Sequence, residues 1–584
     1  MQRASLLFFL TAALTGLACG NAAQHDAPST PKTSQVDAGG PDSGAESSSG
    51  PLGGIASPTI PVSTLPSTAT IDIPAGVYTQ HNDVSRTGAN LFETELTVDN
   101  VQKETFGLLF SREIVGQAYA QPLFAPAVDI GGTQRDIVVV ATEHDDVYAF
   151  DALDASASAP LWHVHLAEPV PTGDLLSVGY CNDLSPEIGI TATPVIDPER
   201  ALLYVETKEK SPAGAYVHHL HALDLTNGSE RLGGPVEITA GVLGSGDGAT
   251  DGLLSFDPLH ENARAALLLS HGVLWLAYAG HCDAPPYHGW VFAYDALTLH
   301  QLGVYVDTTN AWAGGIWMGG QGMAGDEHGD AFFVSGNAPY DESTDPMSLG
   351  DSIGKLHLGA DGLSLADWFT PFNQEFLGAS DLDLGSTGVM LVPGTTWAIG
   401  AGKEGKLYVV DRNSMGHFHD GDDSQIVQSF QATAPLPQYT HALFGSPVFW
   451  NGRIYLWGQA DDLRSYRLGD AGFDTTPQTS ATLGIQPPLP GAILSISANG
   501  NTPRTGILWA SHPKSDAGRA TAVGVLRAFD AADVTHELWN SDQVAARDAV
   551  GNFAKFSPPT VVDGRVYLAT FSGKLQVYGL LSGL

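Results

Sequence analysis

One pattern recurs eight times along the chain. A β-rich run is followed by a polar turn, then by a second run that often ends in an aromatic residue and Asp. The clearest copy is Ile137-Val138-Val139-Val140-Ala141-Thr142, the turn Glu143-His144-Asp145-Asp146, and Val147-Tyr148-Ala149-Phe150-Asp151. Other copies centre on Leu202 to Asp224, Val273 to Asp295, Ala331 to Leu358, Thr396 to Asp411, Arg453 to Leu468, Gly506 to Asp530 and Arg565 to Tyr578. A pair of strands cannot bury its own apolar faces, so regular spacing of such pairs predicts small sheets repeated around an axis. Over residues 71–584 the units average roughly 64 residues, room for four strands and their loops. The expected fold class is all-β, an eight-bladed β-propeller. Gly 67 and Pro 36 against 15% charged residues agree with many strands and turns rather than helical bundles.

An innermost strand precedes each pair. The candidates are Tyr119 to Phe124, Ile190 to Ile196, Ala265 to Ser270, Trp317 to Ala324, Ser386 to Val392, Leu443 to Phe449, Leu494 to Asn499 and Ser557 to Val562. The stretch Tyr78 to Leu91 is expected to add a strand to the last blade and close the ring, which removes an exposed sheet edge. Loops entering the innermost strands share one face with the turns between second and third strands. Several are long and polar, such as Pro171 to Gly189 and Gly280 to Gly289, so binding chemistry is expected there, around the axis.

The chain opens like an exported protein. Arg3 precedes an apolar run from Leu6 to Ala18, too short to span a bilayer and suited to a signal-peptide core. The run ends in Leu17-Ala18-Cys19-Gly20, which resembles a bacterial lipoprotein processing site, with Leu two residues before Cys19 where the pattern usually has it three before. The resemblance implies a signal peptide at 1–19 and a lipid on Cys19; the alternative is ordinary cleavage near Ala22-Ala23. Residues 20–70 are rich in Ser, Gly, Pro, Asp and Ala and read as a flexible tether ahead of the propeller at 71–584. The expected location is the bacterial cell envelope, periplasm or cell surface, with membrane contact only through the anchor. A net charge of -38 repels nucleic acid and anionic membrane surfaces. Setting Cys19 aside leaves Cys181 and Cys282 on loops of the same face, where an oxidising compartment would let them pair; two buried free thiols is the alternative.

Several segments resemble quinoprotein dehydrogenases, which carry pyrroloquinoline quinone (PQQ) on an eight-bladed propeller. Gly314-Gly315-Ile316-Trp317 resembles the segment with their quinone-stacking Trp. Ser335-Gly336-Asn337-Ala338-Pro339, with Gly350-Asp351 after it, resembles the segment whose Asn binds calcium. Asp381-Leu382-Asp383 resembles the segment with the catalytic aspartate, and Lys403 to Arg412 the one whose basic residue touches the quinone oxygens. His288 to Asp295 resembles the strand after their calcium-binding Glu, for which Asp283 is the nearest acid here. The chain from His81-Asn82-Asp83 to Lys403 is also similar to an uncharacterised bacterial group of PQQ-like propellers.

This resemblance implies PQQ stacked on Trp317, and Ca²⁺ held by Asn337, Asp383 or Asp381, and Asp283. It implies Asp383 or Asp381 as the base that takes an alcohol proton, and Lys403 as the partner of charge on the quinone oxygens. The implied partner is a small alcohol or sugar. The sequence departs from the family by lacking adjacent cysteines and any Cys-x-x-Cys-His haem site. The alternative is a cofactor-free scaffold that binds an envelope protein or polysaccharide. Residue by residue, Trp317 serves equally as packing between blades, Asn337 as a turn residue, Asp381 and Asp383 as loop caps and Lys403 as a solvated turn residue.

Other motifs fail on context. Gly320 to Gly325 matches a dinucleotide pattern with no helix after it, and Gly400 to Lys406 approaches a phosphate loop but continues into Leu407. Asp420-Gly421-Asp422-Asp423 lacks full calcium-loop spacing. His163 and His165 alternate on one strand face, with His218, His219 and His221 further on; this is either a transition-metal site or ordinary exposed strand chemistry.

Overall fold

A computed structural model describes residues 75–176, 182–435 and 441–581. The chain divides into two units, Met1–Ile71 and Asp72–Leu584, and all the described residues belong to the second. The expected signal peptide, the Cys19 lipid, the tether over 20–70 and Cys181 lie outside the described residues. Among the described residues no helix is long and apolar enough to cross a membrane.

Eight sheets surround one axis. Blade 1 runs outward from Leu123–Ile130 through Thr133–Ala141 and Asp146–Asp151 to Trp162–His165. The innermost strands of blades 2 to 8 are Val195–Asp197, Leu268–Ser270, Ala324–Gly325, Met390–Leu391, Val448–Trp450, Ile493–Ser497 and Thr560–Val562. In seven blades they overlap the C-terminal ends of the expected segments, whose earlier residues lead across the site face before pairing begins; in blade 7 the strand Ile493–Ser497 instead covers the start and middle of its segment.

The strands are apolar on both faces because each blade is sandwiched between two others. In the second strand of blade 1, Val138 and Val140 pack with Tyr567 and Val577 of blade 8. The intervening Ile137, Val139 and Ala141 pack with Leu203 and Val205 of blade 2. The period of two thus feeds two separate cores. The recurrent terminal Asp is equally explicable. Asp151, Asp224, Asp295, Asp411 and Asp530 each accept a backbone N–H two residues on, which caps the turn into the outer strand. The carbonyl after that Asp takes a Tyr hydroxyl from a neighbouring blade: Tyr567 donates to Ala152, Tyr204 to Ala296 and Tyr455 to Ala531.

The ring closes differently from the expectation. The outermost strand of the last blade is Phe106–Glu113, which pairs antiparallel with Lys574–Leu580. The stretch Tyr78 to Leu91, expected to fill that place, instead threads the axis within residues 77–90, which touch every blade. Backbone bonds join Val77 to Phe124, Tyr78 to Ile196, Val84 to Gly325, Ser85 to Leu391, Thr87 to Phe449 and Gly88 to Ile496. Side chains reach the remaining two blades: Arg86 Nη2 donates to Leu267 O at 3.1 Å, and Asn90 Nδ2 to Val561 O at 2.8 Å. The reason is polar. Arg86 is fully buried and Asn90 nearly so, and both need backbone acceptors that an outer edge strand would not offer.

Candidate functional site

The loops entering the innermost strands and the turns between second and third strands gather at one end of the ring. Asp283, Asn337 and Lys403 come from turns of blades 3, 4 and 5, and Trp317, Asp381 and Asp383 from loops entering blades 4 and 5. Lys403 is the hub. Its Nζ lies 2.6 Å from Asp381 Oδ1 and is also paired with Asp383 Oδ2. Asp383 Oδ1 accepts the Asn337 backbone N–H at 3.1 Å, and Asn337 Nδ2 donates to Asp381 Oδ1 at 3.4 Å. These bonds leave Asn337 Oδ1 buried and without a hydrogen-bond partner.

The electrostatics follow from enclosure and charge. Burial lifts the Asp381 carboxyl to about 7; Lys403 opposes that rise and Asp383 adds to it. Asp283 is open to water but ringed by protein, and this enclosure with the charge of Asp383 raises its carboxyl, while Tyr287 donates to it at 3.1 Å. Burial alone would lower the Lys403 ammonium, but Asp383, Asp381 and Asp283 outweigh it and hold it charged. Asp351 is fully buried nearby and accepts the Leu384 N–H at 3.0 Å; burial and Asp383 push it far above the carboxylate range. One ammonium thus faces an excess of carboxylates.

Trp317 lies two residues beyond Gly315, whose carbonyl accepts the Gly336 N–H at 3.0 Å. It is half-buried at the axis, with Phe556 edge-on at 4.9 Å and the Arg264 guanidinium 5.7 Å from its ring centre. Arg264 also sits 5.4 Å from the Tyr119 ring and 5.0 Å from that of Phe556. It is 3% exposed, and its Nη2 has no hydrogen-bond partner. Burial lowers it to about 10, with Tyr119, Glu143 and Asp183 acting the other way. Lys555 Nζ donates to Asp183 O at 2.7 Å and lies 5.9 Å from the Tyr119 ring.

The structure therefore brings Asp283, Asn337, Asp381, Asp383 and Lys403 together. It sets Trp317 on the same face in an aromatic and cationic corner. Sequence reasoning missed Arg264, Asp351, Tyr119, Phe556 and Lys555. Asp351 stood in a quoted segment without a role; Arg264 and Lys555 had as a signal only that basic residues are scarce, 26 Lys+Arg in the chain. Cys282 Sγ lies 3.1 Å from Asp183 Oδ1 on this face. A cavity of about 380 Å³ lined by Val84, Ser270, Asp326 and Arg412 lies among turns of the opposite face and holds none of these residues, so chemistry rather than volume marks the site. The other sequence histidines are accounted for by carboxylates: His218 pairs with Glu206 at 2.5 Å, His221 with Glu230 at 3.0 Å, and His219 with Glu209.

No family model matches the chain, and no curated protein matches it in sequence. Its structure is similar to the quinohemoprotein alcohol dehydrogenase ADHIIG of Pseudomonas putida HK5, with TM-score 0.53 and 12% identity over 88% of this chain and 81% of that one. It is similar to a europium-containing methanol dehydrogenase, with TM-score 0.50 and 13% identity over 87% of this chain and 98% of that one. BamB of Moraxella catarrhalis follows at TM-score 0.45 and 11% identity, over 81% of this chain and 97% of that one. At these identities the likeness establishes the fold: the chain is an eight-bladed β-propeller of the architecture found in quinoprotein dehydrogenases.

Proposed function

We propose that the protein is an oxidoreductase of the bacterial cell envelope that holds PQQ and Ca²⁺ at this end of the ring and oxidises a small alcohol or sugar. The observation that carries the reading is the unpaired, buried Asn337 Oδ1 beside Asp381, Asp383 and Asp283. A hard divalent cation takes oxygen ligands of this kind, and an excess of carboxylates over Lys403 supplies the charge. The residues also fit a planar, anionic quinone. Arg264 offers an unpaired N–H between aromatic rings, and Trp317 gives a broad face beside it. The two structural neighbours named as dehydrogenases share this fold and are consistent with the reading.

When bound, the quinone supplies the two-electron acceptor for the substrate hydride, and the cation polarises it. The chain's own residues handle the rest. Asp381, raised to about 7 and half-buried, suits the role of base for the hydroxyl proton near neutral pH. Asp383 is held by the Asn337 N–H and Lys403, which orients it as a ligand or as the alternative base. Lys403 keeps its proton and neutralises negative charge at the site. A second reading is a docking face for an envelope protein or polysaccharide. Trp312 and Phe376, 55% and 57% exposed beside the loops that carry Trp317 and Asp381, favour it.

Reconstitution separates the two. Purified protein with PQQ and Ca²⁺ is expected to bind the quinone stoichiometrically, with a changed absorption spectrum, and to reduce a dye with some member of an alcohol and sugar panel. No bound quinone at saturating cation would reject the dehydrogenase and leave the docking reading.

A further inference from the structure

A second cluster lies away from the axial site, at the outer side of blade 1. The turn Thr142 to Asp146 alternates its side chains. Glu143 points inward, where its Oε2 accepts the Gly189 N–H at 2.8 Å and the Thr191 hydroxyl at 3.0 Å. His144 and Asp146 point the other way and meet His165 of the outer strand. Side-chain ligand atoms of His144, Asp146 and His165 all lie within 4.8 Å of one another. We propose that these three residues form a site for a first-row divalent transition metal of the Zn²⁺ type.

The chemistry favours such an ion. Two imidazoles and one carboxylate are donors suited to zinc and its neighbours, whereas calcium and magnesium take oxygen alone. Around a tetrahedral ion with bonds of about 2.05 Å, ligand atoms stand about 3.3 Å apart. His165 Nδ1 already stands 3.1 Å from Asp146 Oδ1. The remaining closure falls to His144 and His165, whose side chains are about a third exposed, while Asp146 is buried.

The surroundings look like the supports of a metal site. His144 Nδ1 is bonded to Glu187 Oε1 at 2.9 Å, which directs the other ring nitrogen outward for a ligand bond and fixes the tautomer. Asp146 Oδ2 accepts the Tyr148 hydroxyl at 2.7 Å, which leaves Oδ1 for the cluster. His163 Nε2 stands 2.9 Å from that same Oδ1, with its ring stacked on Tyr148 at 4.3 Å, and so helps hold the carboxylate in place. An ion here would fasten the blade 1 turn, through Glu187, to the loop that carries Asp183 to the axial face. The role is structural, and it does not depend on the quinone reading.

The test uses the full mature chain, stripped with a chelator and titrated with Zn²⁺ alone by calorimetry, with bound metal counted by mass spectrometry after dialysis. One equivalent is expected to remain, and excess Ca²⁺ should not displace it. His144→Ala and His165→Gln should each lose that equivalent or weaken it at least about 100-fold, Glu187→Gln about 10-fold, and His300→Ala, a distant exposed histidine, not at all. Co²⁺ in place of Zn²⁺ should give a visible absorption band in the parent that His165→Gln lacks. Equal binding by the parent and both histidine variants, or no retained equivalent in the parent, would overturn the proposal. Because the two histidines are exposed, apo melting curves matching the parent are expected and confirm that a loss is local.

Discussion

The axial segment makes a demanding prediction at Arg86. Its guanidinium is completely buried and donates four hydrogen bonds: to Met323 O at 2.8 Å, Thr79 Oγ1 at 2.8 Å, Gln80 O at 2.8 Å and Leu267 O at 3.1 Å. Arg86→Met keeps the length of the stem and removes every donor. Each buried acceptor left without a partner costs about 1–1.5 kcal/mol after partial relief from desolvating the cation, so the loss is about 4–6 kcal/mol in all. A propeller of roughly 500 residues unfolds with an entropy near 1 kcal/mol per kelvin, so the melting temperature should fall by about 4–6 °C. Arg86→Lys keeps the charge but not the fork, and should fall between the two. Scanning calorimetry at matched scan rates measures the shifts, since a chain of this size can unfold irreversibly. If Arg86→Met melts within about 1 °C of the parent, Arg86 does not join the blades at the axis, and the account of residues 77–90 is wrong.

Three further outcomes are expected. Burial holds the His81 imidazole at about 3 and the His512 imidazole at about 4, with Arg86 and Arg527 respectively adding to the effect. Both folded values lie below the unfolded value near 6.5, so their stabilising contribution is intact above that pH and is lost as pH falls toward them. Between pH 6.5 and 5 each should cost about 1.5 kcal/mol, and His512→Gln should flatten part of that slope in urea titrations; an unchanged slope would contradict the burial. A Cβ at Gly350 would stand 1.9 Å from Ala338 O, so Gly350→Ala must shift the loop between Asn337 and Asp351. Loss of about 1–3 kcal/mol and of Ca²⁺ binding is expected with the circular dichroism spectrum unchanged, and full Ca²⁺ affinity in the variant would refute the loop's role. Peptide mapping without reductant should recover Cys181 linked to Cys282, and alkylation of both thiols in the untreated protein would refute that pairing.

The ring was legible because its cause is local. Alternating apolar residues in Ile137 to Ala141, together with a turn-capping Asp, write each blade into a short stretch of chain. The convergence of Asn337, Asp381, Asp383 and Lys403 was legible only through the resemblance of their segments to those of quinoprotein dehydrogenases, in the same order along the chain; no local pattern marks them. The closing strand was misplaced because Tyr78 to Leu91 and Phe106–Glu113 are both short segments ahead of blade 1. What separates them is the buried Arg86 and Asn90, whose polar groups demand an axial channel full of carbonyls that the sequence does not display. Arg264 was illegible for a related reason: its meaning lies in Tyr119, Trp317 and Phe556, which come from three other loops. Asp351 gave no sign of its burial, since Asp383, the charge that raises it most, lies on a different loop.

The most direct measurement is an anomalous difference map from crystals grown with Tb³⁺ in place of Ca²⁺, with and without PQQ. The account predicts a peak within ligand distance of Asn337 Oδ1 and the Asp381 and Asp383 carboxylates, and quinone density against Trp317. A map with no peak there, or with the ion and quinone on the opposite face beside Asp326 and Arg412, would contradict it.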